Sequence, residues 1–282
     1  MICRKCRCGV NIFIRTVHTA LCLGVPITLM VKDTSLSRSV LHLEEPAYGI
    51  SYLGLLLLSM LMYYCACLVD PGFVPLPNKK NSVNNNSDEE AEAEDSCMLG
   101  THKPGDCKYR RCDYCEIQQP MRTKHCEDCQ RCVRKYDHHC PWLEACVGER
   151  NHKFFWLFLL TTAVLVWWTL LITWKAMAFQ VEWGEWFHDN MLFILDMIVL
   201  LIGGFVVTGL LAFHTYLMSR GVTTWESVSR ERITYLKYLD EDYNPFDEGI
   251  IKNIYNFLCT HNIRRWELIY SKKAEVKNSG IV

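Results

Sequence analysis

AYGISYLGLLLLSMLMYYCACLV, residues 47–69, decides the fold. It holds no charged side chain, and at about 1.5 Å of rise per residue a helix of this length crosses roughly 30 Å of hydrocarbon. Outward from it the apolar residues gather into further blocks separated by polar stretches, not into the scattered pattern of one soluble core. A second uncharged block, 154–174, carries Trp156, Trp167, Trp168 and Trp174. A third, 191–218, has only Asp196 and His214 as ionisable groups, and its Gly203, Gly204 and Gly209 permit close helix packing. The earliest block, 16–31, is free of charge but contains Pro26, and it reaches span length only if 12–15 join it with Arg15 snorkelling. A cleaved signal peptide is the bland alternative there, given the basic start, but no small-residue cleavage site follows before Lys32. The expected fold is an α-helical polytopic membrane protein with four transmembrane helices.

The expected order is an N-terminus (1–9), a first span (10–31), a luminal loop (32–46), a second span (47–69), a long polar segment (70–153), a third span (154–175), a second luminal loop (176–190), a fourth span (191–218) and a C-terminal region (219–282). Lysine and arginine are sparse in the two short loops, and 175–190 is acidic through Glu182, Glu185 and Asp189. The positive-inside rule therefore places both termini and the middle segment in the cytosol. Formal net charge is −1 over 282 residues, which argues against nucleic acid as a partner, since phosphate binding needs a basic surplus.

Within the middle segment, 78–98 is polar and acidic and reads as a linker without chemistry. In the tail, apolar residues at 250, 251, 254, 255 and 258 predict an amphipathic helix that packs on the cysteine-rich domain or lies on a membrane surface. Asn244-Pro245 is the expected cap, with proline at the first helical position.

Seven of the sixteen cysteines fall between 112 and 146, in a segment placed in a reducing compartment, so metal ligation or thiol chemistry is favoured over disulfides. The ligand candidates run Cys112-xx-Cys115, His125-Cys126-xx-Cys129-xx-Cys132, His138-His139-Cys140 and Cys146. Paired thiolates at this spacing suit tetrahedral zinc. Seven cysteines and three histidines give ten candidates, while two closed tetrahedral sites use eight, so two groups are surplus. Asp137, His138 and Cys140 would supply an orienting acid, a base and a nucleophile. Counting alone leaves open that Cys140 is a ligand and Cys146 the spare, or that all ten form an irregular cluster.

The array C-x2-C-x3-Q-P-x-R-x2-H-C-x2-C-x2-C-x4-D-H-H-C-x5-C-x4-N-x3-F, from Cys112 to Phe155, resembles the cysteine-rich domain of the DHHC family of protein S-acyltransferases. Three more family motifs follow the same order: Asp70-Pro71-Gly72, Thr223-Thr224-Trp225-Glu226 and Asn244-Pro245-Phe246. The resemblance implies a cytosolic two-zinc domain (109–153) between the second and third spans. One zinc would be held by Cys112, Cys115, His125 and Cys132, and the other by Cys126, Cys129, His139 and Cys146. Cys140 would be the acylated nucleophile, His138 its base and Asp137 the group orienting that imidazole. It further implies fatty acyl-CoA, palmitoyl-CoA above all, as co-substrate, cysteine-bearing client proteins at the cytosolic membrane face, contact with membrane lipid, and residence in Golgi or endoplasmic reticulum membranes. The implied activity is protein-cysteine S-palmitoyltransferase.

The chain departs from the family pattern at Gln119, where Lys or Arg is frequent, and at Ala145, where Asn is usual. The second departure motivates the alternative of an inactive, zinc-bound membrane scaffold. A zinc-finger ubiquitin ligase is disfavoured, because its rings have no use for a spare Cys–His pair. Arg122, Lys124, Arg131, Arg134 and Arg150 are candidates to meet CoA phosphates or anionic lipid, against the bland reading of a solvated basic face. Cys3, Cys6 and Cys8, and Cys65 and Cys67, are candidates for S-acylation.

Overall fold

The computed structural model describes residues 4–76, 110–240, 243–260 and 263–278, with the backbone alone for 4–10 and 274–278. The expected linker 78–98 and the residue Cys3 lie outside the described residues, as do the side chains of Cys6 and Cys8. The chain forms two compact units, one of 1–68, 141–144 and 153–215, the other of 69–140, 145–152 and 216–282.

Among the described residues four helices are long and apolar enough to cross a membrane, and each lies mainly in the first unit. They are α1 (Arg4–Val31, apolar over Asn11–Val31), α3 (Pro46–Leu68), α4 (His152–Ala176) and α5 (Trp183–Arg220). A short α2 (Ser35–Leu41) folds within the stretch read as a loop. Thr34 explains it, because its hydroxyl accepts from Ser37 N at 3.1 Å and caps the first turn. Helix α5 starts eight residues before the apolar run at 191, since its first turns carry the polar residues Glu185, His188 and Asp189 and hydropathy does not mark them. Buried Asn190 ties those turns down, accepting from Ala178 N at 2.8 Å and donating to the Ala178 carbonyl at 3.0 Å.

The core of this unit gathers Leu29, Leu36, Tyr52, Leu56, Leu165, Ile172 and Phe193. Two hydroxyl pairs join α3 to α4 inside it, Tyr52 with Thr169 and Ser59 with Thr162, each at 2.8 Å. Such pairs keep polar groups satisfied where no water reaches. Of the three glycines expected to permit close packing, Gly204 alone meets a neighbour, Val166, at 3.2 Å from where a Cβ would stand. Gly203 and Gly209 face open space. Asp196, one of the two ionisable groups of its apolar block, is buried and accepts a hydrogen bond from Thr28.

The second unit is built on three antiparallel hairpins: β1–β2 (Arg110–Cys112, Ile117–Gln119), β3–β4 (Lys124–Cys126, Arg131–Val133) and β5–β6 (His138–Cys140, Ala145–Val147). The Asp-Pro-Gly motif braces the middle one. Asp70 Oδ1 accepts from Gly72 N and Phe73 N at 2.8 and 2.9 Å, and the Gly72 carbonyl accepts from Arg134 N at 2.9 Å. Gly72 has φ of 103°, which favours glycine. At Gly148 a Cβ would stand 2.5 Å from the Pro71 carbonyl oxygen, so only glycine fits that crossing.

The tail contributes α6 (Thr224–Val228), α7 (Ile250–Cys259) and α8 (Trp266–Asn278). The expected cap of α7 is corrected: Gly249 occupies that position, and Asn244 instead accepts from Phe246 N and donates to the Arg220 carbonyl. Buried Asn253 does the anchoring, donating to the Ser219 carbonyl at 2.8 Å and accepting from Glu248 N at 3.0 Å. Helix α7 thus turns Asn253 inward and leaves Ile250, Ile251 and Tyr255 exposed, so of the two expected packings the one with these residues against the domain does not occur.

Arg122 is the largest fully buried side chain among the described residues. Its Nε donates to Glu226 Oε1 at 2.7 Å, and its guanidinium lies 4.1 Å from the Phe246 ring centre and 4.4 Å from that of Trp266. Removing one partner of such a pair leaves an uncompensated buried charge. Glu226→Ala is expected to destabilise this unit by about 3–5 kcal/mol, whereas Arg122→Met with Glu226→Leu costs less because no charge is stranded. Thermal unfolding of the two proteins compares them, and a double variant less stable than the single one would contradict the account.

Candidate active site and paired metal centres

Alternation along β5 sorts the side chains. Successive residues of a strand face opposite ways, so His138 and Cys140 share one face and His139 takes the other. His139 joins Cys126, Cys129 and Cys146, and a second group joins Cys112, Cys115, His125 and Cys132. Cys140 and His138 belong to neither group.

Each group offers three sulfurs and one imidazole nitrogen within 4.8 Å of one another. A tetrahedron with bonds of about 2.0–2.3 Å has edges of about 3.3–3.8 Å. The Nδ1 of His139 lies 3.7, 3.5 and 3.7 Å from the sulfurs of Cys126, Cys129 and Cys146. That of His125 lies 3.6, 3.3 and 3.9 Å from those of Cys112, Cys115 and Cys132. Both groups therefore fit a tetrahedral zinc ion, and the Cys3His donor set is one that zinc takes. Cys129 N and Gln119 Nε2 donate to the sulfurs of Cys126 and Cys132 at 3.4 and 3.2 Å, the kind of bond that orients a thiolate ligand.

The hairpins repeat one design at a spacing of 14 residues. Cys112, Cys126 and Cys140 each end a first strand, opposite Ile117, Arg131 and Ala145. Glu116, Gln130 and Glu144 adopt positive φ at the matching point of each turn. The first hairpin passes its metal group on to the second, and the second to the third, so the two groups interleave.

On the other face of β5, His138 Nδ1 lies 2.7 Å from Asp137 Oδ2. Asp137 is almost wholly buried and accepts from Thr224 N and Thr224 Oγ1 at 2.8 and 2.7 Å. His152 Nδ1 stands 3.8 Å from its other oxygen. With the Nδ1 proton on Asp137, the second His138 nitrogen is left for the Cys140 sulfur, with which the ring also hydrogen-bonds. Burial draws the His138 pKa down, but the Asp137 bond and the Cys140 sulfur outweigh it and raise the pKa to about 9. An imidazolium in this position stabilises a thiolate, and a thiolate is the nucleophilic form of cysteine.

Within the Thr223-Thr224-Trp225-Glu226 motif, Thr223 and Glu226 form a capping box: Glu226 N donates to Thr223 Oγ1 at 3.2 Å and Thr223 N donates to Glu226 Oε2 at 2.9 Å. What sequence reasoning missed is Thr224, which steadies Asp137. Asn151 was marked only as part of a spacing. It is buried, and it accepts from Gly148 N and donates to the Cys146 carbonyl, both at 2.9 Å.

The expected basic face needs correction. Arg122 is buried on Glu226, Arg134 pairs with Glu149 at 2.8 Å, Arg131 lies over Phe73 and Lys124 over Tyr136. Arg150 alone of the five is exposed, 3.6 Å from Asp70. Gln119 is likewise no substitute for a surface cation, being buried against Cys132.

The family description "DHHC palmitoyltransferase" matches residues 106–231. Palmitoyltransferase ZDHHC12 of Homo sapiens is 36% identical over 272 residues, which cover 96% of this chain and 97% of that protein. The chain belongs to the DHHC palmitoyltransferase family. Palmitoyltransferase ZDHHC12-A of Danio rerio is 38% identical over 91% of this chain and 93% of its own length. Protein S-acyltransferase 10 of Arabidopsis thaliana matches 57% of this chain and 47% of its own length at 38% identity. The chain is thus a protein-cysteine S-palmitoyltransferase, with four apolar helices and two Cys/His groups able to hold metal among its described residues.

Proposed function

We propose that Cys140 is the nucleophile of a two-step transfer in which a fatty acyl group passes from acyl-CoA to Cys140 and then to a cysteine of a client protein. One observation carries this: Cys140 stands outside both metal groups, on the strand face of His138, whose other nitrogen is held by Asp137. His138 takes the Cys140 proton, which sets a thiolate beside an imidazolium. The Cys140 sulfur attacks the thioester carbonyl, the bond to the CoA sulfur breaks, and the departing thiolate takes the proton from His138. In the second step His138 accepts the proton of the client thiol. The client sulfur attacks the Cys140 thioester, and the Cys140 thiolate leaves. One thioester replaces another in each step, so no energy source is needed.

Cys112, Cys115, His125 and Cys132 would hold one zinc, and Cys126, Cys129, His139 and Cys146 the other. With four protein ligands each, such ions fix the hairpins and leave no open position for substrate. The four spans support a multi-pass protein with both termini and the hairpin unit in the cytosol. There an acyl chain enters the bilayer with about 0.8 kcal/mol per methylene of apolar transfer while its CoA stays in water. Family membership supports, as part of the same proposal, Golgi and endoplasmic reticulum membranes, lipid contact and cysteine-bearing clients. The test is incubation of purified protein with alkyne-tagged palmitoyl-CoA. A hydroxylamine-sensitive label that peptide mass spectrometry finds on Cys140 supports the proposal, and a label on another cysteine alone overturns it.

An inactive scaffold is the second reading, and it rests on Ala145, the residue paired directly with Cys140 across the third hairpin. An asparagine there would add hydrogen-bonding capacity beside the nucleophile. Ala145→Asn is expected to raise the acylation rate by about threefold to tenfold, the worth of one hydrogen bond. An unchanged rate in an active protein would dismiss Ala145 as a handicap.

A further inference from the structure

We propose that His18 is a positioning residue for acyl transfer, acting through Trp142, an inference that rests on Cys140 being the nucleophile. Trp142 follows Cys140 by two residues in the turn of the third hairpin, and that turn, 141–144, is part of the first unit. Two spans hold it there. Trp142 Nε1 donates to His18 Nδ1 at 3.2 Å, and Tyr63 Oη donates to the Trp142 carbonyl at 3.1 Å. The His18 ring stacks on Tyr63 with centres 3.7 Å apart and stands edge-on to Trp142 and Phe158.

Because Nδ1 accepts, the imidazole is neutral and carries its proton on Nε2, which faces Cys22 Sγ at 3.4 Å. A buried histidine with both nitrogens occupied is commonly a mere helix-packing device. Here its acceptor goes to an indole two residues beyond the reacting sulfur, and that indole belongs to a residue that is 40% exposed. A half-exposed ring held at its N–H and at its own carbonyl is fixed by those bonds, not by burial. Loss of the His18 acceptor frees the indole, and with it the turn that follows Cys140.

The test uses the full-length protein in lipid nanodiscs with palmitoyl-CoA, reading acylation rate, KM, zinc content and melting temperature. His18→Phe keeps a ring but no acceptor, and it is expected to slow acylation at saturating palmitoyl-CoA by about threefold to tenfold with KM within about twofold. His18→Gln keeps an acceptor and is expected to recover most of the rate. Trp142→Phe removes the donor, so the double variant His18→Phe with Trp142→Phe should be no slower than either single variant. Multiplying defects, no recovery with glutamine, or slowing that tracks loss of zinc or of melting temperature overturns the proposal. Cys140→Ser separates it from the reading beneath it. Label retained by that variant overturns the nucleophile assignment, while a blank Cys140→Ser beside an unimpaired His18→Phe overturns the role of His18 alone.

Discussion

Cys140→Ser is expected to lose acyl transfer entirely, to at least about a thousandfold below the parent protein. A serine hydroxyl in the same place is not ionised near neutral pH, and an imidazolium beside it stabilises no nucleophile. Yet the substitution should leave the fold intact, because the sulfur belongs to neither metal group and its neighbours across the hairpin bond through the backbone. The measurement is therefore double: label from tagged palmitoyl-CoA disappears while zinc content and melting temperature hold. If one equivalent of zinc is lost instead, Cys140 is a ligand and the nucleophile must be sought elsewhere.

Removing zinc is expected to have the largest effect on stability. Structural zinc in small Cys/His sites contributes about 10–16 kcal/mol at pH 7, as much as or more than the net stability of a whole domain. The hairpins have strands of three residues, too short to hold together by their own ladders. A strong chelator should unfold the second unit and abolish activity while the helical signal of the spans persists. His139→Ala should lower bound zinc by one equivalent and abolish transfer, since the same strand carries His138 and Cys140. Two equivalents retained in that variant would contradict the ligand assignment.

Much of this was legible in the sequence, for a reason that differs from part to part. The spans are legible because a bilayer demands long apolar runs, and the runs are local. Metal binding is legible because ligand spacing is chemical and occurs within one segment, while the division into two sets that leaves Cys140 out came from the family resemblance. The contacts that stayed hidden join distant residues. Arg122 and Glu226 are 104 positions apart, and Asp137 and Thr224 are 87 apart. In sequence, an arginine beside a cysteine array reads as surface charge, and only the fold shows two aromatic rings enclosing it. Gln119 was read as a missing cation because nothing local says which way a side chain turns. The early start of α5 was missed because its first turns are polar, so hydropathy was silent where the hydrogen bonds of Asn190 decide.

The 14-residue rhythm of the hairpins gives Cys140 two structural counterparts, Cys112 and Cys126. In the first two hairpins the cysteine at this point is followed three residues later by another, Cys112 by Cys115 and Cys126 by Cys129, and both are placed to bind metal. In the third the corresponding place after Cys140 is Leu143, fully buried and without a donor atom. Cys140 is thus half of a pincer whose other jaw is hydrocarbon. What sets Cys140 apart from the two ligand pairs along this chain is not the kind of side chain but the residue three places on, where a leucine offers no donor atom.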